Sequence, residues 1–258
     1  MDIEYIVADP AGNTTGLVLT DIPADEHKTV ARHLLEHSPH DLEQVGFVSE
    51  CPDCDGRLDM MGGEFCGNAS RSFGLFLAGS GLSRRKDLAL IRVSGAEGLL
   101  EVRTDPDTGE ARIKMPPVMG IEAVETDQYG RVPLVVMEGI SHLILMVHPV
   151  EKQEGERLIH ALAETHEADA LGIMYYDEAD NFMTPLVWVR ETDTLYWESS
   201  CGSGSVALAV YLKKDYKGPW QIQFAEPGGT LAVERSEAGD VFLGGPVSLS
   251  GVNRHRTP

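Results

Sequence analysis

The chain has 258 residues, 42% of them hydrophobic, enough for one large domain or two small ones. Its 41 Asp and Glu outnumber 21 Lys and Arg, and a formal charge of -20 argues against nucleic acid and anionic lipid surfaces as partners. No uninterrupted apolar run reaches the about 18 residues of a spanning helix, and Met1-Asp2-Ile3-Glu4 lacks the basic-then-apolar pattern of a signal peptide, so no membrane partner and a cytoplasmic setting are expected.

In chain order, the polar turn Asn13-Thr14-Thr15-Gly16 runs into Leu17-Val18-Leu19, a predicted strand. Asp25 to His37 reads as an amphipathic helix with Val30, Leu34 and Leu35 inward, and Val45-Gly46-Phe47-Val48 as the next strand. Gly63-Glu64-Phe65-Cys66-Gly67-Asn68 then opens a second helix, whose apolar positions include Phe73, Leu75 and Phe76. Strands are predicted at 89–93, 99–103 and 111–115, and Pro116-Pro117 breaks regular structure after the last of them. The second half repeats this order. A turn and strand at 141–147, a helix at 153–166 and a strand at 171–174 lead to Glu198-Ser199-Ser200-Cys201-Gly202-Ser203-Gly204, which opens a helix through Val206, Leu208, Val210 and Leu212; strands at 221–224 and 230–234 follow.

The repetition predicts an internal duplication of class α+β, with an N-terminal lobe at 1–117 carrying Cys66 and a C-terminal lobe at 118–258 carrying Cys201, the final residues free to return to the first lobe. A cleft between two similar lobes is a common place for a small-molecule site. The tail, Asn253 to Pro258, is expected to be poorly anchored.

Each half puts one cysteine at the mouth of a helix, followed at once by glycine and a small polar residue. First-turn N–H groups lack intrahelical partners and carry partial positive charge, which favours a thiolate and can hold a carboxylate. From a reference value near 8.5, a modest lowering would leave such a cysteine partly ionised at neutral pH. Opposed thiol and thiolate would take the α-proton of an amino acid from one face and return a proton to the other, with backbone amides at Gly67, Asn68, Gly202, Ser203 and Gly204 steadying the enediolate-like charge. The chain shows no cradle for pyridoxal phosphate, and no cofactor is expected. Cys51-Pro-Asp-Cys54 has redox or zinc spacing, but no second pair completes a tetrahedral set; a local disulfide or two free loop thiols are the remaining readings. His33, His37 and His40 belong to the wet side of their helix, and no metal site is expected.

At these residues the chain resembles the diaminopimelate epimerase superfamily, cofactor-independent racemases and epimerases that use two cysteines. Cys66-Gly67-Asn68 and Cys201-Gly202-Ser203-Gly204 match its two cysteine motifs, Gly12-Asn13 is similar to its early Gly-Asn, and Gly244-Gly245-Pro246-Val247 to its closing Gly-Pro strand. The resemblance implies two pseudo-symmetric lobes, each a curled, mostly antiparallel sheet around a central helix, with Cys66 and Cys201 as the catalytic pair in the cleft; members are often homodimers. Where diaminopimelate epimerases place a Glu-Arg pair before the second cysteine, this chain has Thr192 and Asp193; Arg57 replaces an asparagine, and Gly139-Ile140-Ser141-His142 stands for the family's Asn-Pro-His. A site for a second amino-acid head group is therefore lost. Glu43-Gln44-Val45-Gly46-Phe47 and Leu195-Tyr196-Trp197-Glu198 are most similar to histidine racemases, enzymes that supply D-histidine to opine-type metallophore pathways.

That resemblance implies an amino-acid substrate, histidine first, with Glu43 recognising the imidazole, Asn13 and Gln44 forming polar walls, and Glu198 binding the ammonium or bracing Cys201. His142 reads as a satisfied structural histidine. The alternatives are an epimerase or racemase of another amino acid, diaminopimelate included, and a thiol-based metal-binding or redox module built on Cys66 and Cys201.

Overall fold

The computed structural model describes residues 1–190 and 193–256, and the chain divides into two units: Met1–Lys114 with Leu243–Pro258, and Met115–Phe242. In the first, β1 (Asp2–Asp9) and β2 (Thr15–Val18) form an antiparallel pair. Parallel neighbours need a crossover, and α1 (His27–His37) supplies it, laying β3 (Gln44–Ser49) beside β2 with Thr15 opposite Gln44. The strand β4 (Gly56–Met60) returns antiparallel to β3. A second crossover, α2 (Gly67–Gly79), leads to β5 (Leu88–Val93) parallel to β4, and β6 (Leu100–Asp105) and β7 (Glu110–Lys114) complete an antiparallel meander.

The second unit repeats that pairing. After β8 (Gly120–Thr126) come β9 (Gly130–Val136) and β10 (Ile140–Leu145), an antiparallel pair. The helix α3 (Lys152–Thr165) then places β11 (Ala170–Asp177) parallel to β10, and β12 (Phe182–Val189) returns antiparallel. An added strand, β13 (Thr194–Trp197), pairs with β12 before α4 (Gly202–Leu212) crosses to β14 (Trp220–Glu226), which is parallel to β12 and antiparallel to β15 (Gly229–Arg235). Both units thus run antiparallel, parallel, antiparallel, parallel, antiparallel, with helices at the two parallel steps. This is the α+β duplication expected from sequence.

Burial follows from helix patterning. α1 and α3 are amphipathic, and their apolar faces close clusters around Tyr5, Leu34 and Phe47 in one unit and Ile159, Ile173 and Trp188 in the other. Leu34 and Ile159 are fully buried, each contributing on the order of 2 kcal/mol. α2 and α4 are apolar or small almost all round and correspondingly buried. The sheet of the first unit wraps α2, which packs on β1, β4, β5, β6 and β7; α4 packs on β9, β10, β11 and β15.

The chain returns to the first unit through β16 (Val241–Pro246), followed by β17 (Ser248–Leu249) and β18 (Asn253–Arg256). The poorly anchored tail expected from sequence is corrected here. Residues 253–256 pair antiparallel with Asp2–Tyr5 of β1, and Arg254 is ion-paired to Glu4 at 2.9 Å. A polar tail is held by backbone ladder bonds, which composition does not reveal. Among the described residues, no helix is long and apolar enough to cross a membrane.

Candidate active site

Each cysteine lies where its sequence context puts it, in extended backbone at the N-cap of a buried helix: Cys66 at α2 and Cys201 at α4. Ser70 N–H and Ser205 N–H bond to the two cysteine carbonyls at 2.9 and 2.8 Å, so both helices start at the same step after the thiol. The surroundings of the two sulfurs differ.

The Cys66 sulfur is half-buried and accepts from Ala69 N–H at 3.4 Å and from Gln44 Nε2 at 3.3 Å. Gln44 opens β3, directly opposite Thr15, and the same nitrogen lies 2.9 Å from Thr15 Oγ1 and 2.6 Å from Asn13 Oδ1, so its two hydrogens are shared among three acceptors. Asn13 in turn donates through Nδ2 to Glu43 Oε2 at 3.2 Å. The sequence-predicted residues Glu43, Asn13, Gln44 and Cys66 therefore form one connected network, in which Gln44 donates towards both Asn13 and the Cys66 sulfur. Gln44 and Asn13 are buried, and Glu43 is exposed. Gly67 and Asn68 are buried in the first turn of α2.

Sequence reasoning missed the residue that holds this turn. Arg71, fully buried, donates from Nε to Asn68 Oδ1 at 3.1 Å and from its terminal nitrogens to the carbonyls of Gly245 (2.7 Å), Pro246 (3.2 Å) and Pro10 (3.1 Å). Because guanidinium only donates, it fixes Oδ1 as the bound end of Asn68 and commits Nδ2 to donating. The approach to Cys66 is fixed too: Ser94 Oγ donates to the Glu64 carbonyl at 2.9 Å, and a Cβ on Gly95, at φ +69, would lie 2.2 Å from Phe65 N.

Cys201 is buried and its sulfur makes no cap bond to the helix. Burial pushes its thiol well above the usual cysteine value, and the Glu198 carboxylate beside it adds to the rise; the Ser203 hydroxyl, 3.6 Å from the sulfur, opposes it. The helix mouth does not lower this thiol as expected from sequence, because loss of water and nearby carboxylates outweigh the amide dipoles. Of the two roles expected for Glu198, binding the ammonium or bracing Cys201, its place beside the Cys201 sulfur is compatible with either. A further buried carboxylate, Glu226 at the end of β14, accepts from Cys201 N–H at 2.8 Å and Ser205 Oγ at 2.5 Å, capping α4 in place of the thiol.

Gly202 and Gly204 are buried and Ser203 is half-buried in the first turn of α4. A Cβ at Gly204 would lie 2.1 Å from Met174 Sδ and 3.2 Å from Cys201 Sγ, so this turn has room only for glycine. Ser203 Oγ meets His142 Nε2 at 2.9 Å. His142 is wholly buried on β10, and desolvation pushes its imidazole down to about 3, so it is neutral; its Nδ1 lacks a partner among the described residues. The satisfied histidine expected from sequence is thus bonded on one ring nitrogen only.

Other marked positions are occupied elsewhere. Cys51 and Cys54 form a disulfide. His33 and His37 stack on each other at 4.4 Å on α1. Arg57 is held by Asp59 through two bonds at 2.6 and 2.8 Å. Asp193 accepts from Trp188 Nε1 at 2.8 Å, while Thr192 lies outside the described residues.

Residues 2–248 match the family described as histidine racemase CntK N-terminal domain. The chain belongs to that family. It is 34% identical over 258 residues to a histidine racemase of Fusobacterium nucleatum subsp. nucleatum, covering 96% of this chain and 94% of that protein. It is 29% identical over 244 residues to a histidine racemase of Staphylococcus aureus, covering 90% and 88%. A hydroxyproline epimerase structure from Agrobacterium vitis superposes with a TM-score of 0.67 at 13% identity, covering 98% of this chain and 91% of that one, which shows a shared fold. As a member of the histidine racemase family the chain is an isomerase, an amino-acid racemase of the diaminopimelate epimerase-like fold.

Proposed function

We propose that this enzyme interconverts L- and D-histidine by two-base proton transfer, with Cys66 and Cys201 acting on opposite faces of the α-carbon and no cofactor taking part. The observation that carries this reading is the opposite setting of the two sulfurs. Two N–H donors aimed at the Cys66 sulfur favour an ionised form, while burial and Glu198 keep Cys201 protonated. A two-base racemase needs one of each at the start of a turnover.

In this reading the Cys66 thiolate takes the α-proton and the Cys201 thiol delivers its own to the other face; the opposite enantiomer reverses the roles. The α-carbanion is carried as an enediolate on the carboxylate, which the first-turn amides of α2 and α4 and the Asn68 side chain would hold. Glu43, exposed and tied to Asn13, is a carboxylate suited to the substrate's imidazole N–H. Support for histidine over other amino acids comes from the named relatives and from Glu43. A homodimer belongs to this proposal through the family resemblance alone.

The test is incubation with each of the twenty L-amino acids, without added pyridoxal phosphate or metal, scored by chiral chromatography. The proposal expects D-histidine to form fastest, and Glu43→Gln to raise the KM for histidine about tenfold or more, the worth of one charge-assisted hydrogen bond. Faster turnover of another amino acid would refute the histidine assignment.

A further inference from the structure

We propose that Cys51-Pro-Asp-Cys54 is a reversible dithiol–disulfide site that exchanges with thiols at Cys51, using neither Cys66 nor Cys201. The pair occupies the turn between β3 and β4, bridged across 5.2 Å between Cα atoms.

Both sulfurs have an acceptor waiting. Asp53 Oδ1 lies 3.3 Å from Cys51 Sγ, and the Gly56 carbonyl 3.3 Å from Cys54 Sγ, so each sulfur has an acceptor at hand for its S–H once the bond opens and the two sulfurs move apart. The loop is also held independently of the bridge. Arg92 grips Asp53 through bonds at 2.6 and 3.2 Å; Asp55 donates its N–H to the Leu90 carbonyl at 2.7 Å and accepts from Leu90 N–H at 2.8 Å. A bridge that the fold does not need for shape, with acceptors ready for its reduced form, behaves as a redox couple rather than a staple.

Exposure sets the direction of attack: Cys51 is half-buried and Cys54 is 6% exposed. An incoming thiolate attacks Cys51 Sγ, the Cys51–Cys54 bond breaks, and Cys54 leaves with the electron pair and takes up a proton. A second thiolate then attacks the incoming sulfur of the mixed disulfide, releasing Cys51, which is protonated as the small-molecule disulfide departs. Two thiols are oxidised and one protein disulfide is reduced.

The test equilibrates the full-length chain in mixtures of reduced and oxidised glutathione, quenches in acid, alkylates, and quantifies the peptide holding residues 51 and 54 by mass spectrometry. The proposal expects oxidised and reduced starting material to converge on one half-reduction ratio. In Cys54→Ser, residue 51 should take up glutathione about tenfold faster than residue 54 does in Cys51→Ser. A bridge that opens in excess dithiothreitol only after denaturation would overturn the proposal. So would thiols that never close in oxidised glutathione, equal rates in the two variants, or a reduced chain retaining one zinc ion with both thiols shielded from alkylation.

Discussion

Gln44 Nε2 lies 3.3 Å from the sulfur of Cys66, and its two hydrogens are shared among that sulfur, Asn13 Oδ1 at 2.6 Å and Thr15 Oγ1 at 2.9 Å, so the two oxygens hold the amide beside the thiol. Replacing Gln44 by alanine should remove about 1.5 kcal/mol of stabilisation from a Cys66 thiolate, the low end for a hydrogen bond to a charged group. Iodoacetamide alkylation of Cys66 at pH 7 should slow about tenfold, and kcat/KM should fall at least as much. An unchanged alkylation rate would show that the amide does not act on the sulfur.

Cys201 makes the opposite prediction in alkali. Its folded-state value lies above the unfolded reference of about 8.5, so the native chain holds this proton where the unfolded chain has lost it. The contribution is complete below about pH 8.5 and is lost as pH rises through the raised folded value. Urea midpoints should fall above pH 8.5 in the parent and fall less in Cys201→Ala.

His142 acts on the acid side. Its folded value of about 3 lies below the unfolded value near 6.5, so the contribution is complete above about pH 6.5 and is lost as pH falls towards 3. The slope for this one group is about 1.4 kcal/mol per pH unit at most. Urea titrations at pH 7, 6 and 5 should show that loss, and His142→Gln, which does not titrate, should flatten it.

Arg71 ties α2 to the carbonyls of Pro10, Gly245 and Pro246. Arg71→Met would leave these acceptors without the fork and should cost about 3 kcal/mol or more, read as a lower urea midpoint. Arg71→Lys should recover only part, because an ammonium cannot reach the carbonyls and Asn68 together. Stability equal to the parent in both variants would contradict the clasp.

The duplication, the four main helices and both cysteine N-caps were legible because each rests on local pattern: apolar spacing, or cysteine, glycine and a small polar residue ahead of an apolar run. Glu43, Gln44 and Asn13 were reached through resemblance, and the structure joins them into one chain ending at Cys66. Glu226 was not legible, since it reaches Cys201 from a strand end 25 residues away. Arg71 left one sign, a charged residue in an otherwise apolar or small helix, which position alone would assign to solvent. The raised Cys201 thiol was missed because the helix dipole is visible in sequence, whereas the depth of burial that overrides it is a tertiary property.

Two opposed bases are tested most directly by turnover of L-histidine in deuterated water, sampled while little product has formed. The account predicts that the first D-histidine is fully deuterated at the α-carbon while the remaining L-histidine still carries hydrogen. Product that retains the original hydrogen, or deuterium entering both enantiomers equally from the start, would mean a single base serves both faces and would contradict the account.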